Sequence, residues 1–391
     1  MKRSLRCCCL SLWIFILIIQ MKVLHIITGL GDGGAEACLY RLLSTTQDIV
    51  CNSVICLRSP DKYSKLIENL GIQLVHLNFN KLHELPFKFF DLYRLIKEIN
   101  PDIVQTWLYH SDLMGGICAK LAKKKVCWGV HNTSLNFKEI SFSGLCLVRL
   151  LSALSYIVPD KVISCSYSSM RYHRSLGYDR NKFCTVHNGI NIQEFYQSLN
   201  LRSDFRRKYH LKIDEICLGM IARNKPPKDY KNLISAISII KTKGYRLKCF
   251  FVGLGTELLK TEIENAGLMD DVILLGQRID ICEILNGLDI FILSSNSEAC
   301  PNVLLEAMAC GVPCISTDVG DCKYLIGDCG TVVPPGDCKF LADVIIEMLT
   351  NLAPDQKIRC IKRIEQDFTV EKMAQGYFCV WSQMIKGTSV H

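Results

Sequence analysis

The sequence predicts an α/β protein made of two facing, doubly wound parallel-sheet domains with a cleft between them. Three observations carry this. The chain has 391 residues, 49% hydrophobic and 21% charged, which is too apolar for disorder and too long for one ordinary core. Apolar runs of strand length alternate with amphipathic stretches from end to end, the pattern of parallel sheets covered by helices on both faces. A turn signal at His187-Asn188-Gly189-Ile190-Asn191 divides the alternation into two runs of similar length.

Residues 1–20 stand apart from this pattern. Lys2, Arg3 and Arg6 precede an apolar run at 7–19 that only Ser11 interrupts. The run is shorter than the roughly 20 residues a bilayer span takes, and no small-x-small cleavage site follows it. The segment reads as an apolar extension, either a mis-assigned start ahead of Met21 or a short anchor.

In the first domain, 21–190, strands are expected at 22–28, 50–57, 72–77, 102–106, 126–131, 161–164 and 183–187, with helices at 35–46, 87–99, 111–123 and 166–175. The second domain, 191–368, opens on a polar, charged stretch that runs to about Asp214. Strands then follow at 215–221, 247–252, 271–275, 289–294 and 312–316, interleaved with helices at 229–242, 256–265, 302–309 and 338–349. A last helix, 369–385, falls in a terminal segment, 369–391.

Composition narrows the function. The 22 cysteines include no Cys-x-x-Cys pair, so neither a zinc ribbon nor a thioredoxin-type site has support. They read as small buried apolar residues in a reducing compartment, which places the protein in the cytoplasm. The formal net charge is +8, and between Lys120 and Arg180 ten basic residues meet three acidic ones. A basic face of that kind suits an anionic substrate or the inner face of the cell membrane as a peripheral partner. Nucleic acid is disfavoured, because no aromatic interleaving or binding motif accompanies the charge.

Chemistry concentrates in the loops that follow strands, where open α/β sheets bind ligands. The loop Gly29-Leu30-Gly31-Asp32-Gly33-Gly34-Ala35-Glu36 leaves a strand and opens a helix, and Gly33 and Gly34 let a ligand approach the backbone. Arg223 and Lys228 project from one loop, an arrangement suited to a diphosphate on which leaving-group charge develops. Pro301 is placed to begin a helix and Gly311 to end it. Glu298 would precede that helix and Glu306 would lie near its end, with free amides at Asn302, Val303 and Leu304 to hold a phosphate. One carboxylate would orient a sugar hydroxyl, and the other would fix a ribose diol.

The segment SEACPNVLLEAMACGVPCISTDVG, with Glu298 and Glu306 in glutamate-x7-glutamate spacing, resembles the signature of the retaining glycosyltransferases of family 4, which have the GT-B fold of two Rossmann-like domains. GDGGAE, TWLYHSD at 106–112, HNGIN, ARNKPPKDYKNL at 222–233, FVGLGTE at 251–257 and TVVPPGD at 331–337 resemble family segments in the same order. The resemblance implies that Arg223 and Lys228 bind the donor diphosphate, that Glu298 contacts the donor sugar and that Glu306 holds the ribose. It implies that backbone in the loop containing Gln277 and Arg278 reads the base, and that the last helix crosses back onto the first domain. Of two histidines at first-domain strand ends, His131 is the donor-sugar candidate and His110 the acceptor-side candidate.

Two departures matter. Ala299 and Cys300 stand where many members carry glycine and an aromatic residue, and Asp321 replaces a second glycine after Gly320. No Asp-x-Asp pair occurs in a strand-end loop, in keeping with a metal-independent enzyme that needs no cofactor. The expected activity is transfer of a sugar from a nucleotide-diphosphate sugar to a glycan or lipid-linked hydroxyl acceptor in cell-surface polysaccharide, lipopolysaccharide or glycolipid synthesis. The alternatives are a nucleotide-sugar epimerase of similar architecture and a non-catalytic nucleotide-sugar-binding scaffold.

Overall fold

The computed structural model describes residues 21–79, 84–132, 142–212, 215–351, 353 and 355–386, so residues 1–20 lie outside it. The chain divides into two compact units. One comprises the chain up to Asn188 together with the segment from Val370 on, and the other is Gly189–Thr369.

The first unit holds seven strands: β1 (Lys22–Ile27), β2 (Cys51–Cys56), β3 (Gln73–His76), β4 (Ile103–Trp107), β5 (Lys125–Val130), β6 (Lys161–Ser164) and β7 (Phe183–Thr185). All pair in parallel, in the order β3-β2-β1-β4-β5-β6-β7. Helices cover both faces, so the central strands read as near-continuous apolar runs. Alternate side chains of one strand then serve opposite cores. In β1, Val23 and Ile27 enter one cluster with Leu39, Leu42 and Trp107, while Leu24 and Ile26 enter another with Leu92, Ile96 and Trp128.

The helix Val370–Lys386 belongs to this unit and buries Met373, Tyr377 and Trp381. Trp381 Nε1 donates to Gln105 Oε1 at 3.1 Å. The Cys38 thiol meets Met373 Sδ at 3.4 Å, and Tyr377 stacks on Trp107 with 5.7 Å between ring centroids.

The second unit holds six parallel strands in the order β10-β9-β8-β11-β12-β13. They are β8 (Ile216–Ile221), β9 (Leu247–Val252), β10 (Val272–Gly276), β11 (Ile290–Leu293), β12 (Cys314–Thr317) and β13 (Gly330–Val333). Several elements fall outside the sequence reading, the helices Ile281–Gly287, Cys322–Ile326 and Gln356–Asp367 among them, and two more are informative. The stretch taken as merely polar contains a helix, Leu199–Lys208, whose first turn Ser198 caps by accepting from Leu201 N at 3.3 Å. Its one fully buried side chain, Phe205, packs on Phe250 at 4.9 Å, and Arg202 pairs with Asp289 at 2.6 Å. One apolar anchor in ten residues is too thin a periodicity to reveal a helix. The short edge strand β13 was also not foreseen. It pairs with β12 so tightly that a Cβ on Gly330 would lie 2.1 Å from the Cys314 carbonyl oxygen.

In each sheet the order reverses once, between β1 and β4 and between β8 and β11. At such a switch point adjacent crossovers leave on opposite faces and the strand-end loops part to form a crevice.

Candidate functional site

In the second unit the loops after β8 and β11 leave the switch point side by side. Ala222 N donates to Val252 O at 2.8 Å and Asn224 N to Leu254 O at 2.9 Å, which fixes the backbone on either side of the exposed Arg223. The approach requires glycine at 253. Its φ is +138°, and a Cβ there would sit 2.1 Å from the Ala222 carbonyl oxygen. Lys228 N closes a turn onto Lys225 O at 2.9 Å. The two loops are then laced together: Asn296 N donates to Pro227 O at 2.8 Å, and Ser294 Oγ to Asp229 O at 2.7 Å.

This lacing brings Lys228 and Glu298 into an ion pair between Nζ and Oε1, with side chains 24% and 11% exposed. Behind Glu298 stands Gly320, φ +59°, where a Cβ would meet Glu298 O at 2.1 Å and Ala299 O at 3.0 Å. Asp321 N donates to Ala299 O at 3.1 Å. The Glu298 loop is therefore held from below by the loop after β12.

The helix Asn302–Ala309 starts at Pro301 with no side-chain cap, so its positive end offers amide donors. The three expected amides are not equivalent. Leu304 N already donates to Pro301 O at 3.2 Å, because the first turn tightens to an i to i−3 bond, so it is not open to a phosphate. Glu306 is half-buried on the same helix. After β10, Gly253 N donates to Gly276 O at 2.7 Å, linking the Gln277 loop to the loop after β9. The Arg278 guanidinium is taken up by Asp280, at 2.8 and 2.5 Å. That contact holds the Asp280 carboxyl below the usual range.

In the first unit, Gly33 ends the loop after β1 and opens the helix Gly34–Thr46. The carboxylate of Glu36 folds over it: a Cβ on Gly33 would lie 2.2 Å from Glu36 Oε2. The positive end of this helix is thus answered by the chain's own anion, which favours a neutral hydroxyl ligand over a phosphate here. After β4, Leu108 takes φ +73° and ψ 157°, a region nearly confined to glycine, so backbone strain is stored where a strand meets a helix. Its N–H donates to Gly129 O at 3.2 Å, which joins the ends of β4 and β5. His110 is exposed two residues on, its pKa lowered by partial burial and by the Arg58 charge. His131 follows β5, its ring stacked on Trp107 at 5.2 Å. Its Nε2 is sealed from solvent with no hydrogen-bond partner among the described residues, and burial pulls its pKa down to about 4. The ring is a neutral imidazole at physiological pH.

Sequence reasoning did not assign roles to Gly253, Gly320, Trp107 or Leu108. A glycine directly after a strand was the readable signal for the first, since only glycine lets two strand-end loops touch. The stack on Trp107 and the strain at Leu108 have no local sequence mark.

Two family models match the chain. One described as glycosyl transferases group 1 covers residues 202–366, and one described as Glycosyltransferase Family 4 covers 32–194. A Campylobacter jejuni N,N'-diacetylbacillosaminyl-diphospho-undecaprenol alpha-1,3-N-acetylgalactosaminyltransferase is 28% identical over 83% of this chain and 90% of its own length. The N-acetyl-alpha-D-glucosaminyl L-malate synthase of Bacillus anthracis is 26% identical over 84% and 87%. Among solved structures, Anabaena HepE in complex with UDP superposes with a TM-score of 0.82 at 21% identity, covering 94% of this chain and 100% of that one. Sucrose-phosphate synthase from Thermosynechococcus elongatus gives 0.78 at 17%, with the same coverage.

Proposed function

From a chain that belongs to the group 1, family 4 glycosyltransferases, a GT-B glycosyltransferase of glycan synthesis, we infer a retaining, metal-independent transfer from a nucleotide-diphosphate sugar. The observation that carries the reading is the Lys228–Glu298 pair beside Arg223 and the uncapped helix at Asn302, all at the β8/β11 switch point. Cleavage of the anomeric bond leaves growing negative charge on the diphosphate. Arg223, Lys228 and the amides of Asn302 and Val303 stabilise it. Glu298 orients the donor sugar, Glu306 holds the ribose, and backbone at Gln277 and Arg278 reads the base. In the other unit His131 serves the donor sugar, while His110 and the Gly33–Gly34 loop serve a neutral hydroxyl acceptor.

The donor is a uridine-diphosphate sugar. Support comes from HepE, a neighbour of the same fold solved with UDP-glucose. The acceptor is lipid-linked or a surface glycan, as the names of the Campylobacter enzyme and of the Staphylococcus aureus capsular polysaccharide glycosyltransferase CapM suggest. No helix among the described residues is long and apolar enough to cross a membrane. The helices Leu85–Ile99, Tyr109–Leu121 and Phe142–Leu154 lie side by side. They expose Phe87, Phe90 and Phe142 toward their starts, while Lys123, Lys124 and Lys125 lie at the opposite end, where Lys124 Nζ donates to Asn100 Oδ1 just past Leu85–Ile99. The lysine cluster by itself suits an anionic lipid surface. Charge reversal at the three lysines is expected to abolish co-sedimentation with phosphatidylglycerol vesicles, and unchanged binding refutes the membrane contact.

The main test is a screen of UDP-, GDP- and ADP-sugars for hydrolysis, with and without chelator. Chelator-insensitive turnover of a UDP-sugar, lost in Lys228→Ala, is expected. Epimerisation of donor without acceptor would replace this reading with the epimerase, and binding without turnover would replace it with the scaffold.

A further inference from the structure

Among the described cysteines, one pair is placed for chemistry. Cys282 opens the helix Ile281–Gly287 as its second residue, and Cys310 is the C-cap of Asn302–Ala309. Their sulfurs are 4.0 Å apart. Cys282 is half-buried, while Cys310 is 3% exposed. A second cysteine pair, Cys329 and Cys360, is sealed at 1% and 0% exposure and offers no entry to a reagent. We propose that Cys282 and Cys310 are a redox-active dithiol that a hydroperoxide closes to a disulfide.

The surroundings fit a thiolate at Cys282. Asn286 Nδ2 lies 3.6 Å from its sulfur, at hydrogen-bonding distance. The hydrogen bond from Cys310 outweighs burial and the Glu194 charge and brings the Cys282 thiol down to about 6, while Cys310 is pushed far up. A thiolate at neutral pH with access to solvent is what a peroxide-reactive cysteine requires. In the first step the Cys282 sulfur attacks one peroxide oxygen, the O–O bond breaks, and the departing oxygen leaves as water or alcohol after taking a proton. Cys282 is then a sulfenic acid. In the second, the Cys310 sulfur loses its proton and attacks the Cys282 sulfur, releasing the hydroxyl as water. Two thiols are oxidised to one disulfide, and one hydroperoxide is reduced to water plus alcohol, or to two waters when it is hydrogen peroxide.

Closure has a reach beyond the two sulfurs. A disulfide needs about 2.05 Å between them, so closure pulls on the last turn of Asn302–Ala309 through Cys310. Cys310 N donates to Glu306 O at 3.1 Å in that turn. Gly311, φ +70°, follows as the joint. Resting on the reading of Glu306 as the ribose contact, the oxidised form is expected to bind donor more weakly.

The test is treatment of the full chain with excess hydrogen peroxide at neutral pH, alkylation of remaining thiols and non-reducing peptide mapping. A Cys282–Cys310 crosslinked peptide, reversed by dithiothreitol and absent in Cys282→Ser, is the expected result. Alkylated Cys282, or Cys282 driven to sulfinic acid with no link, overturns the proposal. Donor KM is expected to rise several-fold on oxidation in the wild type and to stay unchanged in Cys282→Ser. A link formed without that rise overturns the coupling to Glu306. The mapping does not depend on turnover, so its outcome is separate from that of the transferase reading.

Discussion

Replacing Lys228 with alanine removes one ammonium from two jobs, and the structure separates their magnitudes. Its partner Glu298 is 11% exposed and Lys228 itself 24%. A hydrogen bond to a charged group contributes about 1.5–3 kcal/mol. Water reaches this pair through the exposed side of Lys228, which puts the stability loss at the low end, about 1.5 kcal/mol. In a domain of this size that lowers Tm by about 3–6 °C. The catalytic loss is of a different order, about 100- to 1000-fold in kcat, if the ammonium also meets the charge developing on the diphosphate. Kinetics on donor hydrolysis and a thermal melt read the two effects independently. The Glu298→Ala background decides between them: a lysine that only positions Glu298 has nothing left to lose there, so Lys228→Ala would add no further defect. A lysine on the diphosphate still costs about 100-fold in the double variant. Folded Lys228→Ala enzyme with wild-type kcat refutes the site assignment outright.

Three further outcomes follow from the same geometry. Glu306→Gln is expected to raise donor KM about 10-fold or more with a smaller change in kcat, since it loses a charged hydrogen bond to ground and transition states alike; an unchanged KM removes the ribose role. Gly320→Ala, which puts a Cβ 2.1 Å from Glu298 O at φ +59°, is expected to destabilise the second unit by more than about 2 kcal/mol and to impair turnover, and a normal melt with normal kinetics contradicts it. The first unit should lose stability as pH falls from 6.5 toward 4, because burial lowers His25, His131 and His173 each from 6.5 to about 4. In that window the unfolded chain binds three protons that the folded one refuses. Asp112, whose pKa burial raises, acts in the opposite sense by keeping a proton the unfolded chain releases. The three histidines alone make stability fall by up to about 4 kcal/mol per pH unit; the lowered His110 adds to that loss and Asp112 offsets part of it. Equal melting temperatures at neutral pH and pH 5 would refute the burial of these rings.

The strands were legible because a strand covered on both faces has no polar alternation to blur it. The runs expected at 247–252 and 102–106 correspond to Leu247–Val252 and Ile103–Trp107. Where the expectation failed, burial was sparse or the element short. The helix around Phe205 shows one apolar anchor, and β13 is four residues at an edge. Candidate site residues could be nominated from the sequence because they lie at strand ends. What could not be read was which of them touch. The Lys228–Glu298 pair joins residues 70 apart in sequence, and nothing local to either predicts the other. The same holds for Glu36 over Gly33: the sequence suggests a helix end free for an anion, and only the fold shows that end already answered.

The histidines make the point about buried polarity in its sharpest form. His25 lies in the middle of β1, where an apolar residue would be the ordinary choice. The Trp107 indole can only donate, and it does so to His25 Nδ1 at 3.2 Å. That fixes Nδ1 as the acceptor and Nε2 as the donor to Asn52 Oδ1 at 3.1 Å. One protonation state satisfies the chain from tryptophan to asparagine, and a proton on Nδ1 would set two donors against each other. His25 therefore holds Trp107 in the orientation in which its ring stacks on His131 and Tyr377. A core residue of β1 thus positions His131, the histidine proposed for the donor sugar, after β5. His25→Leu should keep the fold while loosening that stack, with a fall in kcat and a gain in Trp107 mobility by fluorescence anisotropy. Unchanged kcat and anisotropy in a stable His25→Leu protein would show that the tautomer network serves packing alone.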